Sequence, residues 1–562
     1  MKLIFRIWIT CVSGLLLCAD VPQVVTALRI GTEGLDRLEG VSFAPDGSVL
    51  VAGTLGAVPE GSVLGEAVAD SQYGVGFVGR LDATGTEWVA RVAFAPGIAH
   101  VTTVVAAADG SVYVAGYATG GLEGLIAAHA PLIGTAATRQ KELTRWAPWV
   151  HRHDPQIDAE RHDERGVPFV LRLDEGLREV TGGTFLEGWQ SVWHVPRPLG
   201  EDQWQPVELV VLPDGDVVVA HDGGIIADHG ARDPDIRDFY LMPDHLSRLS
   251  PDLQTRRWHR EVYTPPNEPE KVQRHLGFDW EHETLGSTRI HRMRASPDGS
   301  RFTIVGWSPS ETSKEPWWSP FCFEYLVDGT RRMTLYTPSP MAGEGDRMGN
   351  LVSDSAVASV HYDDEGDLLL VVKGDGGNSI LRQDPRDFRR PVPEGSWNAN
   401  LWGFAGRTLF WGGVVRVQGE DGAFLRGTAF NGRGERNRLT PAWPVDMVPL
   451  ADGRVVMAGR HSTGFPFTGD AWRTDGFPAR RPGGMLAVLR PDLGVAFSTS
   501  LGDVQPYRTE RMGTRVAVVG MARGGEVLST AALGLSDGGI DGPSGWLLLL
   551  ELEDAEEEEA QP

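Results

Sequence analysis

Two stretches of the chain gather side chains of the kind that bind metals and move protons. WVHRHDPQIDAERHDERG (149–166) carries His151, His153, Asp154 and His162, and HDGGIIADHGARDPDIRD (221–238) carries His221, Asp222 and His229. Imidazole and carboxylate together suit zinc or another borderline cation, so His153, His162, His221 and His229 are the candidate metal ligands. Their spacing matches no established metal signature, and charged loops lying in water are the alternative reading of both stretches. A third stretch, EPWWSPF (315–321), offers Trp317 and Trp318 as a stacking surface for a sugar or peptide. The loop SDGGIDGPSG (536–545) and the tail ELEDAEEEEA (551–560) are acidic enough to attract calcium, yet neither has the ligand order of an EF-hand loop. No motif demands a cofactor; zinc and calcium are the ions these residue types would accept. The sequence contains no nucleophile elbow, phosphate loop, zinc-protease helix or Cys–His dyad.

The elements that must position these residues come from a repeated phrase. VSFAPDGSVLVAG (41–53), VVAAADGSVYVAG (104–116), VVLPDGDVVVAH (210–221), MRASPDGSRFTIVG (293–306) and MVPLADGRVVMAG (447–459) each read as strand, Asp-Gly turn, strand. Asp-Gly fits because a tight hairpin turn needs positive φ, which glycine adopts without penalty. Weaker copies around Gly366, Gly406 and Gly525 bring the turn glycines to Gly47, Gly110, Gly215, Gly299, Gly366, Gly406, Gly453 and Gly525. A second strand–turn–strand unit follows each one. Two hairpins per repeat make a four-stranded antiparallel sheet, and such sheets in a ring make a β-propeller. The fold class is therefore all-β, a single propeller over 28–554, with eight blades favoured and seven as the alternative. The last unit ends at WLLLLELED (546–554) and lacks its outer strand, which ALRIGTEG (27–34) is expected to supply by closing the ring.

Residues 1–27 read as a secretory signal, with Lys2 and Arg6 before the apolar run IWITCVSGLLLC and the small-residue site VTA at 25–27. A lipid anchor at Cys18 is disfavoured by Leu17 before it. The protein is expected to be secreted or periplasmic and monomeric, with no transmembrane span and an acidic disordered tail over 555–562. Its net charge of −24 repels nucleic acid. With Cys11 and Cys18 in the signal, Cys322 stands alone, so no intrachain disulfide can form; among the aromatics of WWSPFCFEY it reads as a small buried hydrophobe.

GRHSTGFPFTGDAW (459–472), followed by GGMLAVLRPDLGVAFSTSLG (483–502), resembles the bacterial extracellular family of seven-bladed β-propeller repeats. That resemblance implies a secreted propeller and carries no catalytic residues with it. RLDATGTEWVARV (80–92) and RLSPDLQTRRWHREV (248–262) are similar to the repeat of pyrroloquinoline-quinone dehydrogenases, which implies a shared way of docking a tryptophan between blades. The long segments 119–167, 222–244, 264–287 and 461–482 all fall where connections reach one face of the ring. The expected function is a binding or interaction scaffold using that loop-rich face, with an extracellular protein or glycan as partner. The alternative is a metal-assisted hydrolase or lyase acting on extracellular polysaccharide or peptide.

Overall fold

The structure is a computed structural model describing residues 21–32, 35–57, 63–64, 74–94, 100–118, 121–129, 131–132, 165–186, 190–191, 206–221, 225–226, 240–241, 244–262, 289–311, 316–336, 355–374, 383–398, 411–435, 438–529, 531–534 and 542–553. Its strands pair into four-stranded antiparallel blades. Blade 1 is Arg37–Phe43, Val49–Leu55, Val75–Leu81 and Trp88–Phe94, and blade 2 is His100–Ala106, Val112–Ala118, Arg165–Leu173 and Val180–Phe185. Blade 3 is Glu208–Val211, Val217–His221, Asp244–Leu249 and Arg256–Val262. Blade 4 is Arg289–Ala295, Arg301–Glu311, Pro316–Leu326 and Arg331–Leu335. Blade 5 is Ser355–Tyr362, Leu368–Gly374, Trp411–Val417 and Phe424–Phe430. Blade 6 is Ala442–Pro449, Val455–His461, Gly483–Leu489 and the first part of Val495–Met512. Blade 7 takes the rest of that strand, then Arg515–Val527, Ser544–Glu551 and Gln23–Gly31. Each inner strand packs on the next, and that of blade 7 packs on that of blade 1, so the ring is closed. Among the described residues no helix is long and apolar enough to cross a membrane.

These pairings give seven blades among the described residues, where eight were favoured. One of the turn glycines, Gly406, accounts for the difference, and a second, Gly525, is displaced without changing the count. Trp411–Val417, counted as part of an inner hairpin around Gly406, lies residue for residue against Leu368–Gly374 as the third strand of blade 5. The stretch read as that blade's outer hairpin forms only the short pair Gln383–Asp384 and Asp387–Pro391, a side excursion from the connection. Gly525 lies inside Arg515–Val527, and the inner hairpin of blade 7 turns instead at Gly513, with φ of 62°.

Two glycines in the repeated phrase have distinct physical reasons. The turn glycine has φ near 85°, as at Gly47, Gly110 and Gly215, while the preceding Asp accepts the N–H two residues on, at 3.0 Å for Asp46 and Asp109. A glycine within the second strand faces a β-bulge in the inner strand. A Cβ on Gly53, Gly116, Gly306 or Gly520 would stand on the carbonyl oxygen of Arg37, His100, Arg289 or Gln505.

Arginines rivet neighbouring blades at the hairpin rim. Arg80 binds Asp46 of its own turn at 2.8 Å and donates to the carbonyl of Glu175 in blade 2 at 2.9 Å. Arg248 likewise joins Asp214 to the carbonyl of Val327 in blade 4, and Arg515 reaches the carbonyls of Gly47 and Ala83 in blade 1. Trp258 docks between blades as expected, its indole N–H on the Val327 carbonyl and its ring stacked on Phe302. Trp88 lies edge-on to Phe77 of its own blade. Cys322 is buried in the core between blades 4 and 5, where burial and Glu324 push its thiol up.

The closing strand pairs with Ser544–Glu551 from Gln23 opposite Glu551 to Ile30 opposite Gly545, with Ala27, Leu28 and Ile30 buried. The expected cleavage boundary after Ala27 falls inside this strand. Burying Leu28 and Ile30 contributes about 1.5–3 kcal/mol each. We expect Leu28→Asp to lower the thermal midpoint markedly, because it puts an unpaired charge in that core. Val25→Asp, at a position of the same strand that is 41% exposed, should leave it unchanged. Equal melting curves for both variants would show that the closure does not hold the ring.

Candidate functional site

Because every blade is antiparallel and starts from its inner strand, hairpin turns emerge at one rim and all other connections at the opposite one. The thirteen hairpin turns have at most six residues. Connections at the other face include 119–164, 222–243, 263–288 and 375–410, and they define the face where a ligand site would lie.

His151, His153, Asp154, His162, Asp222 and His229 lie outside the described residues. Trp317 and Trp318 lie in Pro316–Leu326, opposite Ser310 and Pro309. That pairing forms an arm running beyond Trp307, where the inner strand of blade 4 begins, so both residues belong to the connection face. His221 ends the second strand of blade 3, fully buried, and its ring stacks on His245 with centroids 5.1 Å apart. His245 stacks in turn on His259 at 5.0 Å, with Nδ1 of His245 3.3 Å from Nε2 of His259 and Ser247 Oγ 3.0 Å from the other His259 nitrogen. The three imidazoles form a column across the sheet rather than a convergent ligand set. The three candidate ligands that do come together among the described residues are Asp363, Glu365 and Asp367. Asp363 there accepts the N–H groups of Glu365 and Asp367, and Asp367 accepts that of Gly419 at 2.8 Å, which is the work of a turn.

The 461–482 connection folds back onto blade 6. Thr468 N–H donates to Ser498 Oγ at 3.1 Å and Arg473 N–H to Thr499 Oγ1 at 3.0 Å. Phe465, Phe467 and Phe477 surround the buried His461 ring. This segment, which carries the family resemblance, is a packed cover of the blade.

Sequence reasoning missed the charged residues of the channel. In six inner strands the residue seven places before the turn glycine occupies one level: Gly40, Thr103, Glu208, Arg292, Ser359 and Asp446, with Arg508 at the matching register in blade 7. At this level Arg508 of blade 7 binds Glu208 of blade 3 across the ring, and Arg292 of blade 4 stands 3.4 Å from the same carboxylate. Arg292 also donates to the carbonyl of Tyr507 at 2.5 Å. Asp446 accepts from Ser359 Oγ and, at 2.8 Å, from the Thr509 N–H. One level nearer the hairpin rim, Arg294 donates to His361 Nε2 at 3.1 Å and pairs with Glu510 at 3.5 Å. Burial, then Arg294, lowers His361 against the opposing pull of Asp446 and Glu510. Burial alone would raise the Asp446 carboxyl, but His361, Arg292 and Arg294 outweigh it and hold it well below the usual range. Burial pulls Arg508 down to about 10 with Glu208 opposing, so it stays charged at neutral pH. These bonds join blades on opposite sides of the ring, and the channel is closed at this depth.

Above that floor, toward the connection face, cations form an arc over blades 4 to 7. Lys373 of blade 5 has Nζ 5.3 Å from the centre of the Trp443 ring, and the Arg460 guanidinium of blade 6 lies 6.0 Å from it. Arg481 and Arg523 both bind Asp503 at 2.7 Å. His291 is pushed down to about 3 by burial and by the neighbouring Arg292, Lys373 and Arg289.

No protein-family model and no curated protein matches the chain. Among solved structures it is similar to the Dos1 propeller, at 8% identity and TM-score 0.36, with 94% of this chain and 96% of the other covered. It is also similar to BamB from Moraxella catarrhalis, at 9% identity and TM-score 0.36 over 94% and 100% of the two chains. The quinohemoprotein alcohol dehydrogenase ADHIIG from Pseudomonas putida HK5 aligns at 12% identity and TM-score 0.40 over 94% and 76%.

The floor predicts that Glu208→Gln lowers unfolding free energy by about 3–5 kcal/mol, because it leaves Arg508 buried without its counter-charge. Urea denaturation measures this, and an unchanged midpoint would remove the floor's structural role. His461 supplies a pH test. Burial pushes it down to about 4. As pH falls from 6.5 to 4 the unfolded imidazole takes a proton that the folded one refuses, so stability falls across that window by about 3 kcal/mol. His461→Gln should flatten that part of the stability–pH curve.

Proposed function

We propose that this propeller is an exported binding scaffold that holds an extracellular glycan on its connection face, over a channel closed beneath it. The observation carrying this reading is the asymmetry of the two rims. One has thirteen short turns and arginine rivets between blades, and the other receives every long connection. A rigid frame with its variable chain gathered on one face is the arrangement that binding surfaces adopt. The closed floor supports the same face, because a ligand entering the mouth meets side chains rather than an open bore. Trp317 and Trp318 stand on an arm of that face and supply the residue type that stacks on sugar rings.

A glycan array tests the reading with three proteins: the native chain, Trp317→Ala with Trp318→Ala, and Arg178→Glu on an exposed hairpin turn. The native protein and Arg178→Glu should bind the same glycans, while the double tryptophan variant loses about tenfold or more in affinity, roughly 1.4 kcal/mol. Absence of glycan binding, or loss caused by Arg178→Glu instead, would overturn it.

A further inference from the structure

The chain carries a net charge of −24, yet the mouth of its channel concentrates positive charge. The arc runs from Arg289 in blade 4 through Lys373 in blade 5 and Arg460 in blade 6 to Arg523 in blade 7. Lys373 and Arg460 hold matching positions, opposite Ala356 and Trp443 of their inner strands, so the repeat itself aims them at one level. Arg523 is two residues beyond Met521, which faces Gln505 in blade 7. Arg481 joins the arc from the blade 6 connection.

Asp503 supplies one carboxylate to Arg481 and Arg523, and it is largely buried, with its side chain 8% exposed. Arg523 is itself only 16% exposed, and its Nε–H has no acceptor among the described residues. Burial lowers Arg523, and the neighbouring Arg460 and Arg481 add to that against Asp503. Cations crowded together and partly withdrawn from water form a standing site for an oxyanion. Guanidinium groups present paired N–H donors that match a carboxylate or a sulfate ester. Trp443 lies among them, buried, with Lys373 and Arg460 against its ring.

We infer that the mouth recognises an acidic glycan, with Arg460, Arg481 and Arg523 binding the carboxylate or sulfate groups of its sugars. This rests on the scaffold reading above and names its ligand class. The site takes its ligand from the connection face, since the charged floor blocks the other end. Carboxylate and sulfate share the chemistry, and the probes below separate them.

The experiment is a titration of the full chain with polygalacturonate, dextran sulfate, neutral dextran and poly-glutamate, at 50 and 300 mM NaCl, conditions chosen for their contrast in screening. Binding of polygalacturonate or dextran sulfate, weakened by salt and absent with neutral dextran, is the expected result; which of the two binds tells carboxylate from sulfate. Arg460→Gln and Arg523→Gln should each weaken it about tenfold, the equivalent of losing one charge-assisted contact. Arg481→Gln, at an exposed side chain whose loss the fold tolerates, should weaken it in the same direction, and Arg178→Gln on the opposite rim should leave it unchanged. Poly-glutamate bound as tightly as the acidic glycans would show that charge alone is read and overturn the glycan assignment. Binding of neutral glycans on the connection face, without preference for acidic ones, would overturn this inference and leave the scaffold reading standing. Loss of binding only from Arg178→Gln would sink both.

Discussion

The closure of the ring by the two ends of the chain is the constraint on which the other features depend. Gln23–Gly31 is the outer strand of a blade whose other strands are built from residues 504–551. Without it Ser544–Glu551 would be an open edge presenting a row of unpaired N–H and C=O groups. The consequence would travel, because Val495–Met512 passes from blade 6 into blade 7 without a loop, and Arg515 of blade 7 is tied to the hairpin turns of blade 1. Asp36 completes the joint. It accepts the N–H groups of Thr32 and Gly56, both at 2.8 Å, and so holds the link between the closing strand and blade 1 against the end of that blade's second strand. A contact this distant in sequence carries a loop-closure cost that falls when the intervening blades are already folded.

The channel floor also spans the ring, since one of its pairs joins Glu208 to Arg508, 300 residues away. Buried ion pairs add little net stability, because desolvation offsets most of their attraction. What they do fix is geometry. Glu208 satisfied by Arg508 and Arg292, and Asp446 satisfied by Ser359 and the Thr509 N–H, permit one arrangement of blades 3 to 7 around the axis. An apolar plug would close the channel as well, but it would tolerate sliding among the blades. The floor thereby sets the positions from which the side chains of the mouth project.

Much of this could be read from residue order, and the failures have identifiable causes. The Asp-Gly phrase placed five inner hairpins correctly because positive φ and the Asx hydrogen bond are local requirements. Counting back seven residues from each turn glycine would have reached Glu208, Arg292 and Asp446, whose charges stand out in strands that elsewhere carry Gly40, Thr103 or Ser359 at the same place. That signal was present and was not used. The blade count failed where local pattern is ambiguous: Gln383–Pro391 has the look of an outer hairpin, and only the long-range pairing of Leu370 with Val415 shows which strand completes blade 5. The histidine reading singled out His221 as a ligand but did not include His245 and His259, on which it stacks and which adjoin it only through the register of Asp244–Leu249 and Arg256–Val262. The other histidines of that reading fall outside the described residues.

The negative net charge and the positive mouth are compatible because they act over different distances. At physiological ionic strength charges are screened within about 8 Å, so the acidic exterior sets solubility and discourages indiscriminate attachment of polyanions. It does little at the mouth, where Arg481 and Arg523 share the Asp503 carboxylate and Arg523 is largely shielded from water. A polyanion approaching the outer wall meets repulsion with nothing to offset it. The same polymer threading an anionic group over the channel meets guanidinium donors at hydrogen-bonding range, where Coulomb energy in a partly desolvated setting outweighs the diffuse field of the whole. Net charge, a property of composition, therefore excludes little about this site. The register that places Lys373 and Arg460 at one level decides its sign.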